Sequence, residues 1–218
     1  MPELVLCDFD GTISRIDTGL AAAQAFQLEE FDRVEMAWRR GEISAPECLR
    51  RQWGLLDLQV HDLWGFVERM ELDPAFADLA ALAAARGTPL WVLSDGLDLY
   101  VSRSLERLGH AGVSYRANRC RLVGSRVCLE FPHRYAACGR CGNCKTRWLF
   151  DLRQAVQAER VVYIGDGVSD LCAAKYADVV FAKEGLARAC AERGQPFRRF
   201  RSLADVVAAW AEGHRRLT

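Results

Sequence analysis

Short apolar runs that end in acidic or glycine-rich turns punctuate this chain. Leu4-Val5-Leu6-Cys7 leads into Asp8-Phe9-Asp10-Gly11-Thr12, and Pro89-Leu90-Trp91-Val92-Leu93 into Ser94-Asp95-Gly96. Val161-Val162-Tyr163-Ile164 leads into Gly165-Asp166-Gly167-Val168-Ser169-Asp170, and a shorter run covers Ala177-Asp178-Val179-Val180-Phe181-Ala182. Apolar runs of this length without alternation predict strands covered on both faces, as in a parallel α/β sheet. Polar residues at the carboxyl ends of such strands lie where open sheets gather their sites. Helical spacing fills the gaps. Asp73-Pro74 marks a helix start and Gly87 its end, with Leu79, Leu82 and Ala83 on one face. Leu97, Val101, Leu105 and Leu108 recur at helical spacing before Gly109. Ser202 with Asp205 resembles a capping box ahead of Val206, Val207 and Trp210, which predicts a terminal helix.

From Ile16 to about Met70 the pattern is helical throughout, with Leu20, Phe26 and Leu28 early and Ser44-Ala45-Pro46-Glu47 restarting a helix. That interval exceeds what one crossover helix needs. It predicts a small helical cap inserted after the first strand: residues 1–15 and 86–218 form a Rossmann-like core, and 16–85 the cap, whose last helix returns to the core. Trp38, Trp53 and Trp64 are expected in the core of this unit. Between Ser114 and Pro132, alternation around Gly124-Ser125 predicts a hairpin.

Composition narrows the function. Lys+Arg and Asp+Glu both number 29, so the chain lacks the basic excess of a nucleic-acid binder. Its apolar runs are too short for a membrane span, and its first residues do not read as a signal peptide. A cytoplasmic, reducing setting follows as the expectation, and the nine cysteines then read as thiols, core fillers or metal ligands.

Asp8 and Asp10 at one strand end, and Asp166 and Asp170 at another, concentrate negative charge that a cation or proton must offset. Carboxylates of this kind suit Mg²⁺, a hard ion that takes oxygen ligands. Asp8-Phe9-Asp10-Gly11-Thr12 resembles the first motif of the haloacid dehalogenase-like hydrolases. Ser94 matches the second motif, Lys145 the third-motif lysine and the Gly165–Asp170 loop the fourth; the resemblance spans roughly residues 4–182. It implies that Asp8 attacks phosphorus to form an aspartyl-phosphate while Asp10 serves as general acid and base. Ser94, Asp95, Gly96 and Lys145 are implied phosphate contacts. Asp8, Asp166 and a backbone carbonyl at Asp10 are the implied Mg²⁺ ligands. Thr12, Gly167 and Asp170 are supporting residues, Thr12 either as a turn cap or as a phosphate contact. Asp95 stands where the resemblance calls for glycine.

The insertion after the first strand resembles the helical-cap subclass that includes phosphoserine phosphatases. Within it, Asp8–Ser14, Ser94–Asp98 and Tyr176–Lys183 are most similar to the methionine-salvage phosphatases acting on 2-hydroxy-3-keto-5-methylthiopentenyl 1-phosphate. The expected activity is therefore Mg²⁺-dependent hydrolysis of a small phosphorylated metabolite by a monomer or homodimer. Phosphoserine phosphatase and a non-catalytic phosphate-sensing protein are the alternatives.

Cys138, Cys141 and Cys144 recur at spacing three directly before Lys145. They read either as reduced thiols or as structural Zn²⁺ ligands completed by Cys120, Cys128 or His133. Cys7, Cys48, Cys172 and Cys190 read as core fillers. His61, His110, His133 and His214 join no triad, and Arg198, Arg199 and Arg201 read as a solvated face.

Overall fold

The computed structural model describes residues 1–215, with side chains through residue 213, so the His214 side chain lies outside it. Among the described residues one seven-stranded sheet forms the centre, in the order β4-β3-β2-β1-β5-β6-β7. The strands are β1 (Glu3–Asp8), β2 (Leu90–Leu97), β3 (Ser114–Val123), β4 (Arg126–Glu130), β5 (Arg160–Gly165), β6 (Val179–Ala182) and β7 (Arg198–Arg199). All neighbours pair in parallel except the β3–β4 hairpin. This is an α/β Rossmann-like fold.

The central strands explain why their sequences lack alternation. On β1, Leu4 and Leu6 face one core cluster while Val5 and Cys7 face the other. On β5, Val161 and Tyr163 divide from Val162 and Ile164 in the same way. Both faces are covered by helices, so every position must be apolar. One face carries α5 (Phe76–Ala85), α6 (Asp98–Arg107) and α10 (Leu203–Arg215); the other carries α7 (Lys145–Ala155), α8 (Leu171–Ala174) and α9 (Glu184–Glu192).

Four helices, α1 (Thr18–Phe26), α2 (Phe31–Arg39), α3 (Ala45–Trp53) and α4 (Leu63–Arg69), lie between β1 and α5. The chain leaves the sheet and returns through one stem: Ser14 and Leu72 form an antiparallel bridge, and the Asp73 N–H donates to the Ile13 carbonyl at 2.8 Å. Beyond the stem, α5 packs against α10. Asp73 ties the two together, accepting from the Ala75 N–H at 3.0 Å and the Leu203 N–H at 2.9 Å. One carboxylate thus occupies N–H groups at the starts of two helices, and α5 itself begins at Phe76, beyond the predicted Asp73-Pro74 cap.

Arg198 and Arg199 keep the solvated face expected of them while pairing as an edge strand beside β6. Other expectations are corrected. Only half of the capping box exists: Asp205 reaches back to the N–H groups of Arg201 and Ser202. Cys172 is exposed rather than a core filler, and Trp64 is half exposed. Trp53 is buried, while Trp38 lines the cavity described below. No helix among the described residues is long and apolar enough to cross a membrane.

Candidate active site

β1 and β5 end in the polar turns that their sequences announced, β2 carries its polar residues within the strand, and parallel pairing brings the three side by side. Asp8 closes β1 and is buried. Lys145, the first residue of α7, donates to Asp8 Oδ1, to Asp170 Oδ1 at 2.6 Å and to Ser169 Oγ at 3.3 Å. Its three donors are therefore all used inside the protein. Asp170 also accepts from the Tyr163 hydroxyl at 2.7 Å and from the backbone N–H groups of Gly167 and Asp166 at 3.0 and 3.2 Å. Thr12 Oγ1 donates to the second Asp8 oxygen at 3.3 Å.

The electrostatics follow from this crowding. Burial, and then the Asp170 charge, push the Asp8 carboxyl well above the usual range, against the pull of Lys145. Asp166 is pushed up to about 7 by burial and by Asp170. Burial disfavours the Lys145 ammonium, but Asp170 and Asp8 outweigh it and raise its pKa well above the ordinary value. The carboxylate oxygens of Asp8, Asp166 and Asp170 lie within 4.8 Å of one another. Three carboxylates against one ammonium leave excess negative charge, which suits a divalent cation.

The donor set fits Mg²⁺. All three ligand candidates offer hard oxygen atoms; Asp170 is already occupied by Lys145 and Tyr163, whereas Asp8 and Asp166 line the cavities described below. Gly11 has φ +74°, and a Cβ there would collide with the Asp166 carboxylate. That close approach requires glycine.

Asp10 takes a different direction from Asp8. One of its oxygens accepts from Ser94 Oγ at 2.8 Å and from the Tyr100 hydroxyl at 3.4 Å; the other accepts from the Thr18 N–H at 3.4 Å. Its side chain stands outside the acidic group formed by Asp8, Asp166 and Asp170. Ser94 Oγ accepts from the Gly96 N–H at 2.9 Å. Ser94 through Leu97 continue β2, so this motif sits within a strand rather than a following loop.

Asp95, expected on the phosphate, spends Oδ1 on the Asn143 N–H at 2.7 Å, and burial pushes its carboxyl up to about 6. Asn143, Tyr100 and Tyr163 were missed in the sequence because nothing local marks a buried amide or hydroxyl whose partner is distant. The zinc alternative for Cys138, Cys141 and Cys144 finds no support. Among the described residues the acidic trio is the one group of three potential ligands that closes within 4.8 Å. Cys138 is exposed and Cys144 is buried at the start of α7, and no three of the described thiols come within that distance. All nine cysteines are free.

Above Asp8 and Asp10 is a cavity of about 120 Å³, roofed by Phe31, Trp38, Leu49 and Trp53 from the helical insertion. It opens into a larger cleft of about 660 Å³ that reaches Asp166 and Arg140. Among the described residues Lys145 is the one cation lining the inner cavity, beside Asp17, Glu35 and Asp95. Glu35 is held by Gln52 Nε2 at 3.0 Å and by Arg39 at 2.9 Å.

The family model for haloacid dehalogenase-like hydrolases matches residues 5–175, a stretch that runs from β1 through the acidic loop after β5. The chain belongs to that family. It is 32% identical over 95% of both chains to a 2-hydroxy-3-keto-5-methylthiopentenyl-1-phosphate phosphatase of Geobacillus kaustophilus. It is 31% identical to the protein of the same name from Exiguobacterium sibiricum, over 93% of this chain and 94% of that one. Among solved structures, a phosphoserine phosphatase with a phospho-aspartyl intermediate analogue superposes with TM-score 0.75 at 21% identity, covering 95% of this chain and 98% of the other. A substrate-bound phosphoserine phosphatase gives TM-score 0.73 at 20% identity. These two likenesses establish the haloacid dehalogenase-like fold.

Proposed function

We propose that this hydrolase is a Mg²⁺-dependent phosphatase that removes phosphate from 2-hydroxy-3-keto-5-methylthiopentenyl 1-phosphate. Asp8 is the nucleophile and forms an aspartyl-phosphate, which divides hydrolysis into two displacements. Asp10, held by Ser94 and Tyr100 on the cavity side, donates a proton to the departing oxygen and then takes one from water. Lys145 supplies fixed positive charge between Asp8 and the phosphoryl oxygens, and Ser94 and the Gly96 N–H receive the phosphate. Asp8 and Asp166 would hold Mg²⁺, which supplies Lewis-acid neutralisation of the anionic ester. Residues 16–85 form the lid, with α5 returning to the core. Excluding water from the site strengthens these contacts.

The lining of the inner cavity carries the choice of substrate. Phosphoserine brings an ammonium, which the acidic lining of Asp17, Glu35 and Asp95 suits. It also brings a carboxylate, which among the described residues of the inner cavity would find only the Lys145 cation, already shared between Asp8 and Asp170. Hydroxyl and keto groups carry no such charge, and a methylthio tail suits walls of Phe31, Trp38 and Trp53. Phosphate release from both esters with Mg²⁺ is the test, with Asp8→Asn as the blank. The thiopentenyl ester is expected to show kcat/KM at least about 10²-fold above phosphoserine. Equal or greater turnover of phosphoserine would overturn the assignment.

A further inference from the structure

A loop without regular structure joins β4 to α7 and delivers Lys145 at its end. Shortly before the lysine it touches the helical insertion, where the Ala45 N–H donates to the Arg140 carbonyl at 3.1 Å. Such a segment transmits its freedom to the lysine unless something fixes it close by. Asn143 does so. It is 1% exposed, and its backbone N–H and side-chain amide are all engaged. The backbone N–H donates to Asp95 Oδ1 at 2.7 Å. The side-chain amide donates to the Ser94 carbonyl at 2.8 Å and to the Arg116 carbonyl at 2.9 Å. Its Oδ1 accepts from Trp148 Nε1 at 2.8 Å.

We propose that Asn143 is a positioning residue that locks the Lys145 ammonium in register with Ser94 by bolting the start of α7 to β2 and β3, with Asp95 as its anchor. This rests on the phosphatase reading above. The amide suits the task because it offers donors to two carbonyls and an acceptor to one indole. Aspartate would present oxygen to both carbonyls, and alanine would leave them unpaired in the interior. Asp95 is held in turn, its carbonyl accepting from Asn118 Nδ2 at 2.5 Å. The aspartate found where the family resemblance calls for glycine therefore serves the lysine loop.

Small misplacement of a catalytic group costs about 10²-fold in rate. The test is a double-mutant cycle between Asn143→Ala and Lys145→Arg, followed by p-nitrophenyl phosphate release under single-turnover conditions with Mg²⁺. Asn143→Ala is expected to lower kcat about 10²-fold with a far smaller change in KM, and to cost little more once Lys145 is replaced. Trp148→Phe removes one of the four bonds and keeps the fold testable if the alanine variant does not accumulate; its smaller loss should also vanish in the Lys145→Arg background. Losses of equal size in both backgrounds, or losses that disappear after correction for folded fraction by near-ultraviolet circular dichroism, would overturn the proposal. A folded wild-type enzyme that releases phosphate from no ester would instead remove the phosphatase reading and this proposal with it.

Discussion

Asp8 and Asp10 stand two positions apart and inhabit different surroundings. Asp8 lies in the interior against Lys145 and Thr12, while Asp10 turns to Ser94 and Tyr100 below the insertion. Gly11 between them and the stem makes the divergence possible. At φ +74°, an added methyl group costs about 1–2 kcal/mol in backbone strain alone. It also meets the Asp166 carboxylate, which has to move. Gly11→Ala should therefore raise the Mg²⁺ concentration for half-activity more than about tenfold while the protein remains folded, an effect of about 1.4 kcal/mol on metal binding. A Mg²⁺ titration of phosphate release checks this; an unchanged midpoint would show that Asp166 does not bind the ion. The sequence announced the acidic residues themselves. It was silent on which oxygen of each would be occupied, because Lys145 comes from another helix and Tyr163 from another strand.

Elements differ in how far their own residues decide them. β1 is buried on both faces, and its apolar run had one reading. Leu6 is fully buried between Trp91 and Tyr163 of the neighbouring strands, within the cluster under α7 and α8. Leu6→Ala should cost about 2–5 kcal/mol, whereas Leu20→Ala, on the 39% exposed Leu20 of α1, should stay within about 0.5 kcal/mol. Urea unfolding of both variants checks the contrast, and comparable losses would place Leu20 in a core it does not touch here. β7 was not legible: Arg198-Arg199 has neither apolar character nor strand length. Its pairing arises because Phe197 and Phe200 on either side are drawn inward. The start of α5 was misplaced for a related reason, since Asp73 answers to two helices rather than one.

For the molecule as a whole, the acidic centre links stability to pH and metal. Without a cation, Asp166 titrates at about 7 in the folded state, against about 3.9 for an unfolded aspartate. The folded chain then holds a proton between those values that the unfolded chain has released. Stability in the metal-free protein accordingly falls as pH rises from about 4 to about 7. Mg²⁺ requires the deprotonated carboxylates, so its apparent affinity weakens by about tenfold per pH unit below about 7 for each proton displaced. The rise in Tm on adding Mg²⁺ should be largest near about pH 8 and small near about pH 5. Scanning calorimetry with and without the ion measures it. A Mg²⁺ effect of constant size across that range would mean that the bound carboxylates are not the raised ones.

Local sequence determined the central strands, the starts of α3 and α10 and the polar turns after β1 and β5, because burial on two faces and helix capping leave their marks within a few residues. It also carried the family, through motifs that each occupy one turn. Three matters were decided only in three dimensions. Asp95 was tied to Asn143, Asp10 was turned to Ser94 and Tyr100, and among the described residues no three thiols were brought within ligand distance of one another. In each case the partner lies tens of residues away or the loop takes its shape from what it packs against. Periodicity records whether a side chain is buried; which distant atom it meets there is set by the order of strands in the sheet and by the lid folded over it.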